Sequence, residues 1–226
     1  LFLSIGVLKA TETDAIFKKI KKEHILHTDG SIELKYYKEI KLLSPYAFNR
    51  LYGETFVIYN PDFQELIIHQ AYTIMKNGRK ISVPENAYNI VLPRAVANYP
   101  AYNQMHEMVI THTGLEVGAT IYLEYSVISK PGFLKEMMGT EILSEGVPVE
   151  NYEVILKVPA RRAIYYRLLN SENKAKESND GNYRTYQWTF EDLGQQAYEQ
   201  AAPPAYELAP TLCFSTFPDI PTAFST

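Results

Sequence analysis

Cys213 and five histidines, at positions 24, 27, 69, 106 and 112, are the residues of this 226-residue chain from which nucleophilic chemistry would have to be built. A cysteine nucleophile needs a thiolate and a histidine within hydrogen-bond reach, with a third polar group orienting the imidazole. Here the single cysteine follows every histidine and falls in a short apolar segment, residues 211–215, rather than on a helix. It reads as a packed thiol, because reactivity would need both a lowered pKa and access. No metal set is visible either. His24 and His27 point to opposite faces of any strand that carries them, and His106 and His112 share a face but lie too far apart to coordinate one ion. No HExxH or other close cluster occurs, and no cofactor is implied. Glu107 and Glu124 could face each other across paired strands, yet glycosidase chemistry needs a defined carboxylate separation and a sugar cleft. The candidate binding residues are aromatic: Tyr88, Tyr99 and Tyr102 around the long loop that follows residue 84, together with Trp188. Such rings suit a glycan or a peptide, and they suit packing against the scaffold equally well, with their polar tips left wet.

The elements that must position these groups are strands. Residues 105–129 contain two apolar, alternating segments around Gly114 and Gly118, which predicts an antiparallel hairpin. In its second segment Ile121, Leu123, Tyr125 and Val127 form one row opposed by Tyr122, Glu124, Ser126 and Ile128, so it is placed centrally in a sheet. Residues 15–27 read as a strand, with a helix competing around Ile16, Phe17 and Ile20. Asp29-Gly30 turns it into a second strand whose inward row, Ile32, Leu34, Tyr36, Ile40 and Leu42, is interrupted only by Lys38. Residues 56–59 and 63–75 follow, the latter with Leu66, Ile68, Tyr72 and Ile74 on one side, and Asn77-Gly78 turns back into residues 79–83. Residues 84–100 read as an irregular loop, of the length that often carries function. Phe133, Leu134, Met137 and Met138 fit a helical turn inside a proline-bounded stretch, 131–148, where the chain could be divided into two cores. Residues 152–158 and 183–190 are strands, the second presenting Tyr186, Trp188 and Phe190 on one face, with a polar loop at 170–182. Residues 191–210 form an irregular C-terminal strap before a last strand at 211–215.

Composition supports this outline. The chain is 46% hydrophobic with 18 tyrosines, a bias that suits pleated sheets. Its net charge of -4, from 22 basic and 26 acidic residues, gives no general attraction to phosphate backbones, so nucleic acid is not an expected partner. The local run Lys18-Lys19-Ile20-Lys21-Lys22 reads as the solvated edge of a sheet, where lysines block edge-to-edge association. One cysteine forms no intrachain disulfide, and no apolar run reaches the roughly 20 residues needed to cross a bilayer as a helix. Residues 1–8 are apolar without a basic start and read as a first strand or docking segment.

Several short matches in order carry a family resemblance. They are Asp14-Ala15-Ile16, Thr28-Asp29-Gly30-Ser31, Tyr59-Asn60-Pro61, Ala71-Tyr72-Thr73-Ile74 and Asn77-Gly78-Arg79-Lys80-Ile81, then the turn and strand from Leu115 to Tyr125, then Val147-Pro148-Val149 and the Trp188 strand. Together, over about residues 14–215, they resemble the domain of unknown function 3857, which commonly stands before a transglutaminase-like domain in bacterial cell-envelope proteins. The lysine-rich continuation of the first strand departs from the family's pattern. The resemblance implies an all-β antiparallel sandwich, immunoglobulin-like or a larger relative, spanning residues 1–215, with an exit linker at 216–226. It implies an exported, periplasmic scaffold or protein-recognition module whose partner is the adjacent transglutaminase-like domain or another envelope protein. Peptidoglycan or carbohydrate recognition is the alternative, and a cysteine enzyme is the third reading.

Overall fold

The computed structural model describes residues 13–196 and 203–217; residues 1–8 and most of the expected exit at 216–226 lie outside the described residues. The strands in chain order are β1 (Ala15–Leu26), β2 (Ile32–Leu42), β3 (Glu54–Tyr59), β4 (Gln64–Ile74), β5 (Lys80–Ser82), β6 (Tyr88–Val91) and β7 (His106–Thr111). There follow β8 (Thr120–Ser129), β9 (Met138–Ile142), β10 (Val149–Pro159), β11 (Tyr165–Leu169), β12 (Lys176–Asn179), β13 (Tyr183–Leu193) and β14 (Thr211–Ser215). Eight of them form one sheet in the order β12-β13-β10-β1-β2-β8-β4-β5. Two small sheets, β11-β14-β9 and β3-β7-β6, cover one face of it, which makes the fold all-β and sandwich-like. Strands from both sides of residues 131–148 belong to the large sheet, because β1 and β10 pair in parallel.

The turn chemistry explains how β1, β2, β4 and β5 meet. Gly30 and Gly78 sit at φ +87° and +83°, where a side chain would be strained, and each closes an antiparallel pair. The covered face of the large sheet then buries Ile20, Ile40, Ile121, Leu123, Tyr152, Val154, Leu156 and Trp188 against Leu212 and Phe214 of the β14 sheet and Ile110 of β7.

Four expectations need correction, and each has a local cause. The segments around residues 105–129 do not form a hairpin: β8 lies between β2 and β4, whereas β7 lies between β3 and β6 in a small sheet. Residues 112–119 therefore cross from one layer to the other, with Gly114 and Gly118 in left-handed conformations along the way. The Lys18–Lys22 run is not on a sheet edge, since β1 is interior, between β10 and β2. Its lysines are accommodated by carboxylates on neighbouring strands: Lys19 pairs with Glu153 at 2.8 Å, and Lys18 pairs with Glu150. A bulge at His69 breaks the single inward row expected for β4. Leu66 and Ile68 lie opposite Val127 and Tyr125, but after the bulge Ala71 and Thr73 take the inward places. Tyr72 turns outward and stacks on Tyr122 at 4.8 Å, with the Lys80 ammonium 3.7 Å from its ring. Finally, three segments read as loop or helical turn contribute strands: β6 inside 84–100, β9 beginning at Met138, and β12 inside 170–182. Within the methionine segment Met137 is buried and Met138 is exposed, as alternation on a strand requires.

Gly139, in β9, marks where the small sheet packs tightest. A Cβ there would lie 2.7 Å from Phe214 Cζ, and Phe214 is itself buried. Gly139→Ala is expected to lower the unfolding free energy by about 1–3 kcal/mol through overpacking. Gly146→Ala, whose Cβ would meet open space, is expected to stay within about 0.5 kcal/mol of the parent in the same urea titration.

Candidate functional site

The four aromatic candidates do not converge. Trp188 is 1% exposed on the covered face of β13, edge-on to Tyr166 at 4.9 Å, and has no surface to offer a ligand. Tyr88 is half-buried against the small cluster of Val83, Ala87, Ile110 and Leu123. Tyr99 and Tyr102 are 60% and 53% exposed, and the Tyr102 N–H donates to the Tyr99 carbonyl at 2.9 Å, so these two share one turn. Glu107 and Glu124 are in different sheets, which corrects their expected pairing; Glu124 instead accepts from Lys35 at 2.8 Å and from Gln70 at 3.0 Å.

Cys213 receives a weak hydrogen bond from the Thr140 hydroxyl, 3.9 Å from its sulfur. The histidines are engaged elsewhere. His24 meets Glu141 at 2.9 Å, His27 meets Glu33 at 2.9 Å, His69 meets Ser126 at 2.8 Å, and His106 lies edge-on to Tyr59. Among the described residues no hydrogen bond joins Cys213 to a histidine, and no group of three or more His, Cys, Asp or Glu is arranged to hold a metal ion.

A polar constellation of another kind lies between the layers. A bulge at Lys18 shifts the alternation of β1, so that Ile20, Lys22, His24 and Leu26 follow Phe17 on the covered face, opposite Lys38, Tyr36, Leu34 and Ile32 of β2. Lys22 Nζ donates to Glu141 Oε2 at 2.5 Å, while Glu141 Oε1 meets His24 Nε2. Burial works against the Lys22 ammonium, but Tyr152 and Glu141 beside it outweigh that cost and hold its pKa above the ordinary value. For Glu141, burial raises the pKa, and the His24 hydrogen bond and the Lys22 charge more than reverse it. One charge from β1 thus meets one from β9, at the seam between the large sheet and the β14 sheet.

Lys38 makes the second seam. It is 7% exposed, and its Nζ donates to Thr55 Oγ1 at 2.8 Å. Thr55 Oγ1 lies 3.0 Å from His112 Nε2, so with the lysine occupying a lone pair, the hydroxyl hydrogen is free to point at the imidazole. Burial depresses the Lys38 pKa to about 8, opposed by the Glu145 carboxylate. Burial and the Lys38 charge bring His112 down to about 3, so its ring is neutral at physiological pH. Glu145 moves the other way: burial raises its pKa although Lys22 and Lys38 pull it down. A buried Lys–Thr–His series has the residue types of an activated nucleophile, but Thr55 is only 8% exposed and so is withdrawn from solvent. Its effect is to join β2, β3 and the segment after β7. Lys38 was visible in the sequence as the one interruption of an apolar row. Lys22 was hidden, because its orientation depends on the bulge.

Two hollows that open to solvent lie on opposite faces of the large sheet. On the bare face of the large sheet Lys19, Lys21 and Lys35 alternate with Glu23, Glu39 and Glu124 around Tyr37, enclosing about 310 Å³. Its charges largely satisfy one another, as in the Lys35–Glu124 and Lys21–Glu23 pairs. On the covered side a groove of about 280 Å³ runs between residues 56–58 of β3 and the large sheet. Its floor is apolar, with Leu34, Tyr125 and Val127, and His24 lies at its side. The volume is at the small end of ligand sites, which span roughly 300–1,000 Å³, so it fits a few side chains better than a large cofactor.

Lys38 sets a pH dependence whose sign is fixed by its depressed pKa. Below about pH 8 the ammonium is charged in both folded and unfolded chains, and the full burial cost applies. As pH rises from about 8 towards 10.5, the folded chain sheds this proton first and stability increases. Lys38→Met lacks this group, so its stability advantage over the parent is expected to shrink by about 3 kcal/mol between pH 7.5 and 10.5. Urea unfolding of both proteins across that range measures it, and a pH-independent difference would show that Lys38 titrates normally.

Comparison with known proteins places this geometry in a family. A search among curated proteins found no match. The crystal structure of a "putative protease" from Parabacteroides distasonis ATCC 8503 is similar over 91% of this chain, with 42% sequence identity and a TM-score of 0.88. This chain spans only 41% of that protein's length. Residues 28–195 match the model described as Domain of Unknown Function with solved-structure structure (DUF3857). Covering more than half of its residues, that match shows that the chain belongs to the DUF3857 family.

Proposed function

We propose that this chain is a non-catalytic accessory module that positions a neighbouring catalytic domain within a larger, exported envelope protein. The observation carrying this reading is the coverage: a relative at 42% identity matches 91% of this chain with 41% of its own length, and that longer protein bears a protease name. A transglutaminase-like domain is the partner the family resemblance favours. The same reading treats residues 13–217 as one enlarged immunoglobulin-like sandwich, supported by the parallel β1–β10 pairing across 131–148. Its mechanism is mechanical. Two layers fixed by the Lys22–Glu141 ion pair and the buried Lys38–Thr55 hydrogen bond hold their loops and edges in constant relative positions, and a rigid surface lowers the entropic cost of docking a second domain.

Recognition of a glycan or peptidoglycan is a second reading, favoured by the exposure of Tyr99 and Tyr102 on adjoining turns. It would place substrate capture, rather than domain positioning, on this module. Tyr88 and Trp188 would then support the fold beneath the site instead of touching the sugar.

The parent polypeptide tests the leading reading. Deleting the module is expected to reduce catalytic activity at least tenfold, whereas Cys213→Ser in the intact protein is expected to leave it within twofold. Unchanged activity after deletion would refute the accessory role. Loss of activity in Cys213→Ser, with the fold intact by circular dichroism, would move the chemistry into this module. Saturable binding of muropeptides that disappears in Tyr99→Ala with Tyr102→Ala would favour the second reading.

A further inference from the structure

The groove beside β3 has properties that narrow what can fill it. β3 ends its sheet, so one side of its backbone has no strand partner among the described residues, and residues 56–58 line the groove consecutively. Unpaired N–H and C=O groups along a strand call for another extended backbone. The floor supplies an apolar row, Leu34, Tyr125 and Val127, to receive alternate side chains. Two polar side chains of the lining, His24 and Gln64, are already committed. His24 is bonded to Glu141, and Gln64 donates to Ser129 Oγ at 3.1 Å while accepting from the Asn60 N–H at 3.0 Å. A sugar or a charged metabolite would find little to replace its water, whereas an apolar strand would find a floor and a backbone partner.

Chain direction identifies the strand's source. β14 runs alongside β9, whose Glu141 reaches Lys22 and His24 of β1, while β3 is tied through Thr55 to Lys38 of β2. The unpaired edges of β9 and β3 therefore sit over adjacent strands of the large sheet. Along β14, Leu212 pairs with Glu141, and Phe214 then packs its ring 4.7 Å from the His24 ring that borders the groove. Two residues later the Thr216 N–H donates to the Met137 carbonyl at 2.9 Å, and the described residues end at Phe217. The rim here is apolar and exposed. Ile58 is 50% exposed, and Phe63 and Phe133, 44% and 39% exposed, stack on each other at 4.6 Å. Phe63 directly precedes Gln64 of the groove lining.

We infer that an extended, alternately apolar segment of the polypeptide downstream of Phe217 adds to the free edge of β3 and lays its side chains on Leu34, Tyr125 and Val127. This rests on the accessory-module reading, in which the chain continues into a further domain, and it names the face on which that continuation docks. The longer relative supplies the necessary length, since more than half of its chain lies outside the region this one covers. Addition at β3 would close the unpaired edge and cover the Phe63–Phe133 rim in one step, and it would couple the position of the next domain to the layer seam at Lys38 and Thr55.

Backbone hydrogen exchange, compared between the 226-residue chain and the parent polypeptide, tests this directly. The outward amides of residues 56–58 are expected to exchange at least tenfold more slowly in the parent. Ile58→Glu is expected to abolish that difference while leaving the short chain's melting temperature unchanged, because Ile58 is half exposed. Protection confined to another surface, such as the Tyr99 and Tyr102 turns, would overturn the assignment to β3 and leave the accessory reading intact. Protection nowhere, with the domains tumbling independently, would overturn both. Slowing in the short chain that grows with its concentration would identify a second copy as the occupant, and the inference would fail.

Discussion

Charge buried between the layers is the constraint on which this structure depends. Among mostly apolar neighbours, the covered face of the large sheet carries two lysines and a histidine, Lys22, Lys38 and His24, and these are its groups least tolerant of a misplaced partner. Apolar contact is tolerant of sliding, whereas an ammonium removed from water is not: it must meet its acceptor or lose several kcal/mol of solvation. Glu141 over Lys22 fixes the β14 sheet, and Thr55 over Lys38 fixes the β3 sheet. The two seams are not equivalent. Lys22 has a full ionic partner and keeps its proton firmly, whereas Lys38 has a neutral hydroxyl and a more distant carboxylate, and holds its proton weakly. Registration of the β3 sheet therefore costs stability at neutral pH. That is the sign expected of a specificity device rather than of a stabilising bond.

How much of this could be read from the sequence follows from how local each signal is. Turns at Asp29-Gly30 and Asn77-Gly78, the inward row of β2 and the aromatic face of β13 were legible, because period-two alternation and left-handed glycines are set within a few residues. The two bulges were not. At Lys18 and at His69 one unpaired residue reverses every later side chain, and no residue type announces it, so Lys22 turned inward and Tyr72 outward against the simple alternation. Partner choice was equally hidden. The segments around residues 105–129 have the composition of a hairpin, and only the competition of β2 and β4 for β8 sends β7 to the other layer. The aromatic candidates illustrate the limit for the site. Trp188 carries the same composition signal as Tyr99, yet it is the strand periodicity around Tyr186 and Phe190 that assigns it to the core.

The bare face and the covered face divide the work of the large sheet. Outside, lysines and glutamates alternate across β1, β2 and β8 so completely that the hollow at Tyr37 is internally neutralised. Such a surface disfavours sheet stacking. Inside, the covering layer is in two sheets, and β9 and β3 are edge strands with no further partner among the described residues. A continuous second layer would have buried the same apolar floor at lower exposure of Ile58, Phe63 and Phe133.

That asymmetry bears on where the groups with chemical potential lie. The groups with chemical potential, Lys38, Thr55 and His112, are sealed beneath β3, and Cys213 is separated from every histidine hydrogen bond. What remains accessible on the covered side is shape: a strand edge unpaired among the described residues, and an apolar rim. Because β3 is clamped by the buried lysine, anything added to its edge inherits the registration of both layers. A downstream domain docked there would be held by the same seam that orders the module, so that folding of the module and placement of its neighbour become one cooperative event.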